Sequence, residues 1–356
     1  MGANCRNPAL YGKRETKMKK WITVLLAMVL CLGLFAGCAA TETEEPGAGL
    51  GGGPDAAAEL TTFHIASLKG PTTMGMVKLM NDAEEGQVKH DYQFEMYGTA
   101  DEIVPKLVNG ELDVALLPCN LAGVLYNKTQ GAVQVAAINT LGVIYVVESG
   151  EMVQSIQDLV GKTVYSTGKG TTPEFALNYI LNQNGIDPKK DLTIEYKSES
   201  TEIAAMLENA ENTIAVLPQP YVTAVQMQND KVRVALSLTE EWDKVSTESS
   251  MVTGVVLVRK AFAEENPLAF SEFLDEYKAS TEYVNANVEE AAAWVEKYGI
   301  VAKAPIAVKA IPACNITYID GDDMKAKVKG YLEVLFDANP QSVGGALPDD
   351  DFYFNR

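Results

Sequence analysis

The chain has 356 residues, 47% of them apolar and 22% charged, the balance of a folded body long enough for two lobes of ordinary domain size. Its 48 acidic residues outnumber 29 basic ones for a formal charge of -19, and the clustered Lys and Arg that phosphate contacts require are not visible, which excludes a nucleic-acid partner. Two histidines and five cysteines without CxxC spacing supply neither the usual zinc ligands nor the material of a Ser-His or Cys-His nucleophile, so no metal, no cofactor and no catalytic residue is expected.

The amino terminus reads as an address. Lys19 and Lys20 precede an apolar run from Trp21 to Gly37, the basic and apolar regions of an export signal. The run ends in Phe35-Ala36-Gly37-Cys38, which resembles a bacterial lipobox except that Phe35 stands where Leu is preferred. Residues 1–37 are therefore read as a signal peptide, with 1–17 an extension or an early start ahead of Met18, and Cys38 as the lipidated residue. An uncleaved anchor is the other reading, and the run falls short of the roughly 20 residues that span a bilayer. Residues 38–58, rich in Gly, Pro and acids, follow as a flexible tether.

From Leu60 onward strand and helix signals alternate. Phe63–Leu68 reads as a strand, then Gly70-Pro71-Thr72-Thr73 and a helix to Glu84. Tyr92–Tyr97 alternates as a strand, and Gly98-Thr99-Ala100-Asp101 opens a helix. Asp113–Leu117 is a short apolar strand, after which Asn120 starts another helix. The stretch from Val133 to Glu148 has room for two strands. A second series follows with strands at 163–165, 192–196 and 213–217 and helices at 174–183, 202–209 and 221–229. Val252–Val258 reads as a strand returning to the first lobe, and helices at 267–285, 289–298 and 322–337 close the chain. Repetition of strand, polar turn and helix marks an α/β fold with mostly parallel sheets, in which ligands gather beyond the carboxyl ends of the strands.

Four segments carry a family resemblance: Gly70-Pro71-Thr72-Thr73, Asp113-Val114-Ala115-Leu116-Leu117-Pro118, Gly168-Lys169-Gly170-Thr171-Thr172-Pro173-Glu174 and Leu217-Pro218-Gln219-Pro220-Tyr221. In this order, behind a lipobox, residues 60–340 resemble the nitrate, sulfonate, taurine and thiamine-precursor group of ABC solute-binding proteins. The resemblance implies a two-lobed type II periplasmic-binding fold, each lobe a mostly parallel sheet flanked by helices, hinged on two crossing strands. Lobe 1 is expected at 59–145 plus 252–345, lobe 2 at 146–251, and a carboxy-terminal tail at 346–356. It also implies a membrane-anchored, extracytoplasmic monomer that takes a small organic anion or polar heterocycle and passes it to ABC permease subunits. The same fold serves menaquinone-pathway enzymes and a pyrimidine synthase, so an enzyme, or a surface sensor, is the alternative. The cysteine-rich segment of that synthase is absent here.

The ligand-binding candidates sit at turns before helices. Gly170, Thr171 and Thr172 offer close backbone approach, hydroxyls and free amides at a helix start, suited to an anionic or polar group. A plain turn with a Thr cap is the alternative. Thr72 and Thr73 are their counterparts in the first lobe. Asn120 is read as a helix cap or a ligand contact, Tyr97 as a stacking wall or a packing residue, and Gln219 and Tyr221 as contacts from the second lobe. Lys69 is read as added charge at this turn or, the commoner outcome, as a surface lysine. Cys119 and Cys314 remain after signal removal, and the sequence leaves their pairing open. His64 is expected to pack, and His90 to be exposed.

Overall fold

The computed structural model describes residues 60–246 and 249–356; the signal segment, the tether and Cys38 lie outside the described residues. The chain runs β1 (Thr62–Leu68), α1 (Pro71–Met74), α2 (Val77–Glu84), β2 (Asp91–Tyr97), α3 (Ala100–Val108), β3 (Val114–Pro118), α4 (Cys119–Thr129) and β4 (Val133–Leu141). It then builds β5 (Ile144–Ser149), β6 (Thr163–Ser166), α5 (Thr172–Gln183), β7 (Thr193–Tyr196), α6 (Ser200–Leu207), β8 (Ile214–Pro218), α7 (Tyr221–Gln228), β9 (Val232–Ser237) and α8 (Leu238–Val245). The return comprises β10 (Val252–Arg259), α9 (Lys260–Glu265), α10 (Pro267–Ala286), α11 (Val288–Lys297), α12 (Ala304–Ala310), β11 (Ile316–Ile319) and α13 (Gly321–Ala338).

Two sheets result, in the orders β11-β4-β10-β3-β1-β2 and β7-β6-β8-β5-β9. Each is mixed, with four of the six strands of the first sheet and four of the five of the second running the same way, as the expectation of mostly parallel sheets has it. The strands β1, β2 and β3 are parallel, as are β6, β7 and β8, because a helix carries the chain back between them. The strands that travel between lobes run the other way: β10 is antiparallel to β3 and β4, and β5 to β8 and β9. At the crossing Val252 stands opposite Leu141. All five residues of β3 are buried because a strand sits on either side and helices cover both faces, which explains its unbroken apolar run.

An aromatic cluster fills the first lobe, with Phe63 4.9 Å from Phe262 and 5.2 Å from Tyr92. Rings this close add to their area burial when edge meets face. Behind the cleft Trp242, fully buried on α8, lies 4.6 Å from Tyr179 of α5 and 5.3 Å from Tyr331 of α13. In the second lobe Glu148 is 0% exposed and accepts the amides of Met152 and Val153 at 3.0 and 3.1 Å. The Arg233 guanidinium of the neighbouring edge strand β9 closes the pair and also donates to the Val153 carbonyl.

Both histidine expectations are reversed. His64 is exposed on β1 with its Nδ1 3.1 Å from Asp113, whereas His90 is buried against Phe63 with its Nε2 3.0 Å from Glu272. Alternation in β1 put Phe63 and Ile65 on the covered side and so turned His64 outward. Cys119 and Cys314 are free and buried, and burial pushes both thiols up. Residues 346–356 pack back on the first lobe: Phe352 is buried, Tyr353 bridges to Val135 and Lys260 pairs with Asp351 at 2.6 Å. Among the described residues no helix is long and apolar enough to cross a membrane.

Candidate functional site

A cavity of about 370 Å³ opens between the two sheets. The carboxyl ends of the parallel strands converge on it, as open α/β sheets dictate. Lobe 1 presents Leu68 at the end of β1 with Lys69 after it, Gly98 and Thr99 after β2, and Pro118 at the end of β3. Lobe 2 presents Thr167 and Gly168 after β6, Lys197 to Ser200 after β7, and Pro218 at the end of β8. Val143 in the link between β4 and β5, Ile144 at the start of β5 and Thr253 on β10 close the back. The inner wall is neutral and hydroxyl-bearing, with Thr72, Thr167 and Thr172 all buried. Charge stands toward the mouth: Lys69, Lys169 and Lys197 against Asp101 and Glu199.

Four of the nine residues singled out in the sequence line the cavity: Thr72, Thr171, Thr172 and Tyr221. Thr72 donates its hydroxyl to the Leu68 carbonyl at 2.9 Å and Thr171 to the Gly168 carbonyl at 2.7 Å. The turn before Thr171 needs glycine, since Gly168 and Gly170 adopt φ of 67° and 78°, where a side chain is strained. Tyr221 reaches across the lobes and donates to the Lys69 carbonyl at 3.3 Å, and burial pushes its hydroxyl up to about 12. Lys69 itself lines the cavity rather than standing apart at the surface.

The other five do not line it, each for a local reason. Thr73 faces away and bonds the Ser67 hydroxyl at 2.8 Å. Tyr97 turns outward, donates to Glu95 and lies under Lys106. Asn120 is fully buried beneath the floor: its amide nitrogen donates to the carbonyls of Gly170 at 3.2 Å and Ser342 at 3.0 Å, and its oxygen accepts from Thr172 at 3.4 Å. Gly170 gives its N–H to the Glu174 carboxylate at 2.5 Å. Gln219, before a cis peptide to Pro220, is buried and accepts from the Thr223 amide and hydroxyl at 3.1 and 2.8 Å.

Residues not singled out complete the site. Thr253 has a buried hydroxyl without a partner in the cavity lining. Glu199 lies across the mouth against Gly98, so close that a Cβ added at Gly98 would meet its carboxylate oxygen at 2.7 Å. The polar run Lys197-Ser198-Glu199-Ser200 between a strand and a helix start was the available signal for this loop. No histidine or cysteine stands in this lining. Among the described residues no group of three or more His, Cys, Asp or Glu is placed to hold a metal ion.

The lobes are thus closed on each other through Asn120–Gly170, Asn120–Thr172 and Tyr221–Lys69. Tyr221→Phe is expected to weaken closure by about 0.5–1.5 kcal/mol, one ordinary hydrogen bond. Small-angle scattering of the unliganded protein checks this as a larger mean radius, and an unchanged radius would deny the bond a part in closure.

Solved structures of the same shape are numerous. A protein described as an ABC transporter from Parabacteroides distasonis is 23% identical, with 83% of this chain and 99% of that one covered and a TM-score of 0.69. The periplasmic aliphatic sulphonate binding protein SsuA from Escherichia coli is 15% identical over 83% of this chain and 92% of its own, with a TM-score of 0.65. The periplasmic nitrate-binding protein NrtA from Synechocystis PCC 6803 is 13% identical over 80% and 84%, with a TM-score of 0.59. At these identities the likeness shows the fold. No curated protein matches the chain. A family model described as NMT1/THI5 like matches residues 103–291, more than half of the sequence and the stretch from within α3 to the first turn of α11 that includes the whole second lobe. The chain belongs to the NMT1/THI5-like family.

Proposed function

We propose that this protein is an extracytoplasmic, lipid-anchored solute-binding protein that closes two lobes on a small organic anion or polar heterocycle and delivers it to an ABC importer. The observation that carries the reading is the cavity between the lobes. Its volume of about 370 Å³ suits a small solute, its inner wall is neutral and hydroxyl-bearing, and its walls come from two bodies joined by a pair of crossing strands. Binding proteins for sulphonate and nitrate share this fold, which supports the class of function. The lipobox at Cys38 and the acidic tether support an anchor at the outer face of a membrane. A catalyst would need a nucleophile or a base within reach of the ligand. The cavity lining offers hydroxyls, two carboxylates at the mouth and three lysines, without the histidine or cysteine that would activate one of them.

The test is to incubate the full-length protein in mild detergent with a small-molecule extract, wash it, and identify what it retains by mass spectrometry. The retained compound is then added back in a thermal melt. At about a hundred times its dissociation constant it should stabilise the fold by about 2.7 kcal/mol. Retention of an unaltered compound with this shift is the expected result. Chemical conversion of the compound would install an enzyme instead, and an empty protein with no shift would overturn the binding reading.

A further inference from the structure

We propose that Thr253 sets specificity at the inner end of the cleft. Its hydroxyl holds an uncharged hydrogen-bonding group of the solute, a hydroxyl, a carbonyl or a ring nitrogen, and the site turns away solutes whose inner end is apolar or charged. The inference rests on the solute-binding reading above and deepens it.

The strand β10 delivers this residue by breaking its own ladder. Val252 stands opposite Leu141 and Gly254 opposite Thr140, so two steps along β10 answer one step along β4, and Thr253 is the extra residue between them. It has no partner in β3 either, whose pairing with β10 starts at Pro118 and Gly254. Such a bulged residue leaves the ladder and has its side chain re-aimed, a device common beside binding sites. Gly254 holds the bulge from behind. A Cβ there would meet the Asn139 amide oxygen at 2.5 Å and the Thr72 methyl at 2.8 Å, so the strand can pass this close only without a side chain.

The hydroxyl placed in this way is buried, lines the cavity and has no partner in the protein. The other threonine and tyrosine hydroxyls of the lining are engaged. Thr72 and Thr171 donate to carbonyls of their own turns, Thr172 to Asn120 and Tyr221 to Lys69. Thr167 pairs with Ser200 and Thr99 with Glu102, both at 3.2 Å. Along β10 the residues flanking this point are valines, and valine has the same branched shape without a hydroxyl to leave unpaired. An unpaired buried hydroxyl destabilises the unliganded fold, and a solute that supplies the missing partner recovers that loss on binding. A site that pairs a buried polar group rejects an analogue lacking the partner far more strongly than one lacking a methyl group. The five charged residues of the lining are exposed or half-buried, whereas its buried residues, Pro118, Val143 and Ile144 among them, carry no charge. A charged group brought to Thr253 would be stripped of water among neutral residues, which an uncharged group survives.

The test compares full-length wild type with Thr253→Val, Thr253→Ala and Thr253→Ser, each in mild detergent. Each is incubated with a dilution series of the same small-molecule extract, and the retained compound is quantified by mass spectrometry. Thr253→Val and Thr253→Ala should need at least about tenfold more extract for half-retention, and Thr253→Ser should follow the wild type. Without extract, Thr253→Val should melt no lower than the wild type, which a hydroxyl serving the fold would not allow. The Ala and Ser pair, differing by the hydroxyl alone, decides the matter if the Val variant does not fold. Equal half-retention by the wild type, Val and Ala proteins would overturn this inference alone, as would a retained compound whose only polar group is charged. A wild type that retains nothing would overturn the binding reading, and this inference with it.

Discussion

Replacing Arg233 with methionine is expected to destabilise the protein by about 3–5 kcal/mol, the cost of leaving a buried charge without its partner. Glu148 sits near the end of β5, between β8 and the edge strand β9, with no exposed surface, and its carboxylate is held by two backbone amides and the Arg233 guanidinium. Methionine keeps much of the arginine stem's apolar volume, so the loss is electrostatic rather than a cavity. The two amides remain, but they do not neutralise the charge. Urea denaturation of the variant should show a lower midpoint at an unchanged slope. Pairing the change with Glu148→Gln should recover most of the loss, because the residual group is then neutral and still accepts the amides. A loss below about 1 kcal/mol, the range of exposed ion pairs, would mean that the pair is solvated.

Replacing Asn120 with leucine is expected to shift the lobes toward the open form by about 1–3 kcal/mol, the cost of leaving buried polar groups unpaired. Asn120 is anchored in lobe 1 through Ser342 and holds Gly170 and Thr172 of lobe 2 with the same amide. Leucine fills a similar volume but answers none of these groups. Opening separates Gly170 and Thr172 from the site and lets water reach them, so the variant gains by opening. Ligand affinity falls with the closed population, by roughly 5–150-fold for a bias of this size. Titration of the compound retained from extract, together with scattering in its absence, separates the two effects. Unchanged affinity with an unchanged radius would show that the Asn120 bridge forms without governing closure.

The framework of the fold was legible because it is written in local pattern. The unbroken apolar run of β3 and the β-branched run of β10 announce strands covered on both faces, and the glycine-threonine turns mark helix starts. What escaped was short or lay at an edge. The strand β9 alternates weakly on the rim of its sheet, and β11 has four residues of which one is buried. Pairing direction escaped as well, since nothing in the residues of β5 or β10 records that a strand entering from the other lobe runs against its neighbours.

Within the site, the turns were legible and the side-chain directions were not. Thr72 and Thr73 are adjacent and alike, yet the first faces the cavity and the second the core, a choice made by the packing of a four-residue helix. Asn120 and Gln219 follow strand ends as ligand contacts would, but each turns inward to satisfy buried backbone or side-chain groups. Thr253 gave no sign in a strand of valines, because its role depends on the strand passing behind a cavity built mainly by other segments.

The pairing of Leu141 with Val252 means that the chain leaves the first sheet and re-enters it at neighbouring positions of one ladder. Everything between them is a single inserted parcel, spliced in through a gap no wider than one pair of strands. Inheritance can act on such a parcel as a unit. A lobe with a different lining can replace this one without disturbing the register of the sheet that receives it, so new cargoes can be explored by exchange as well as by point mutation.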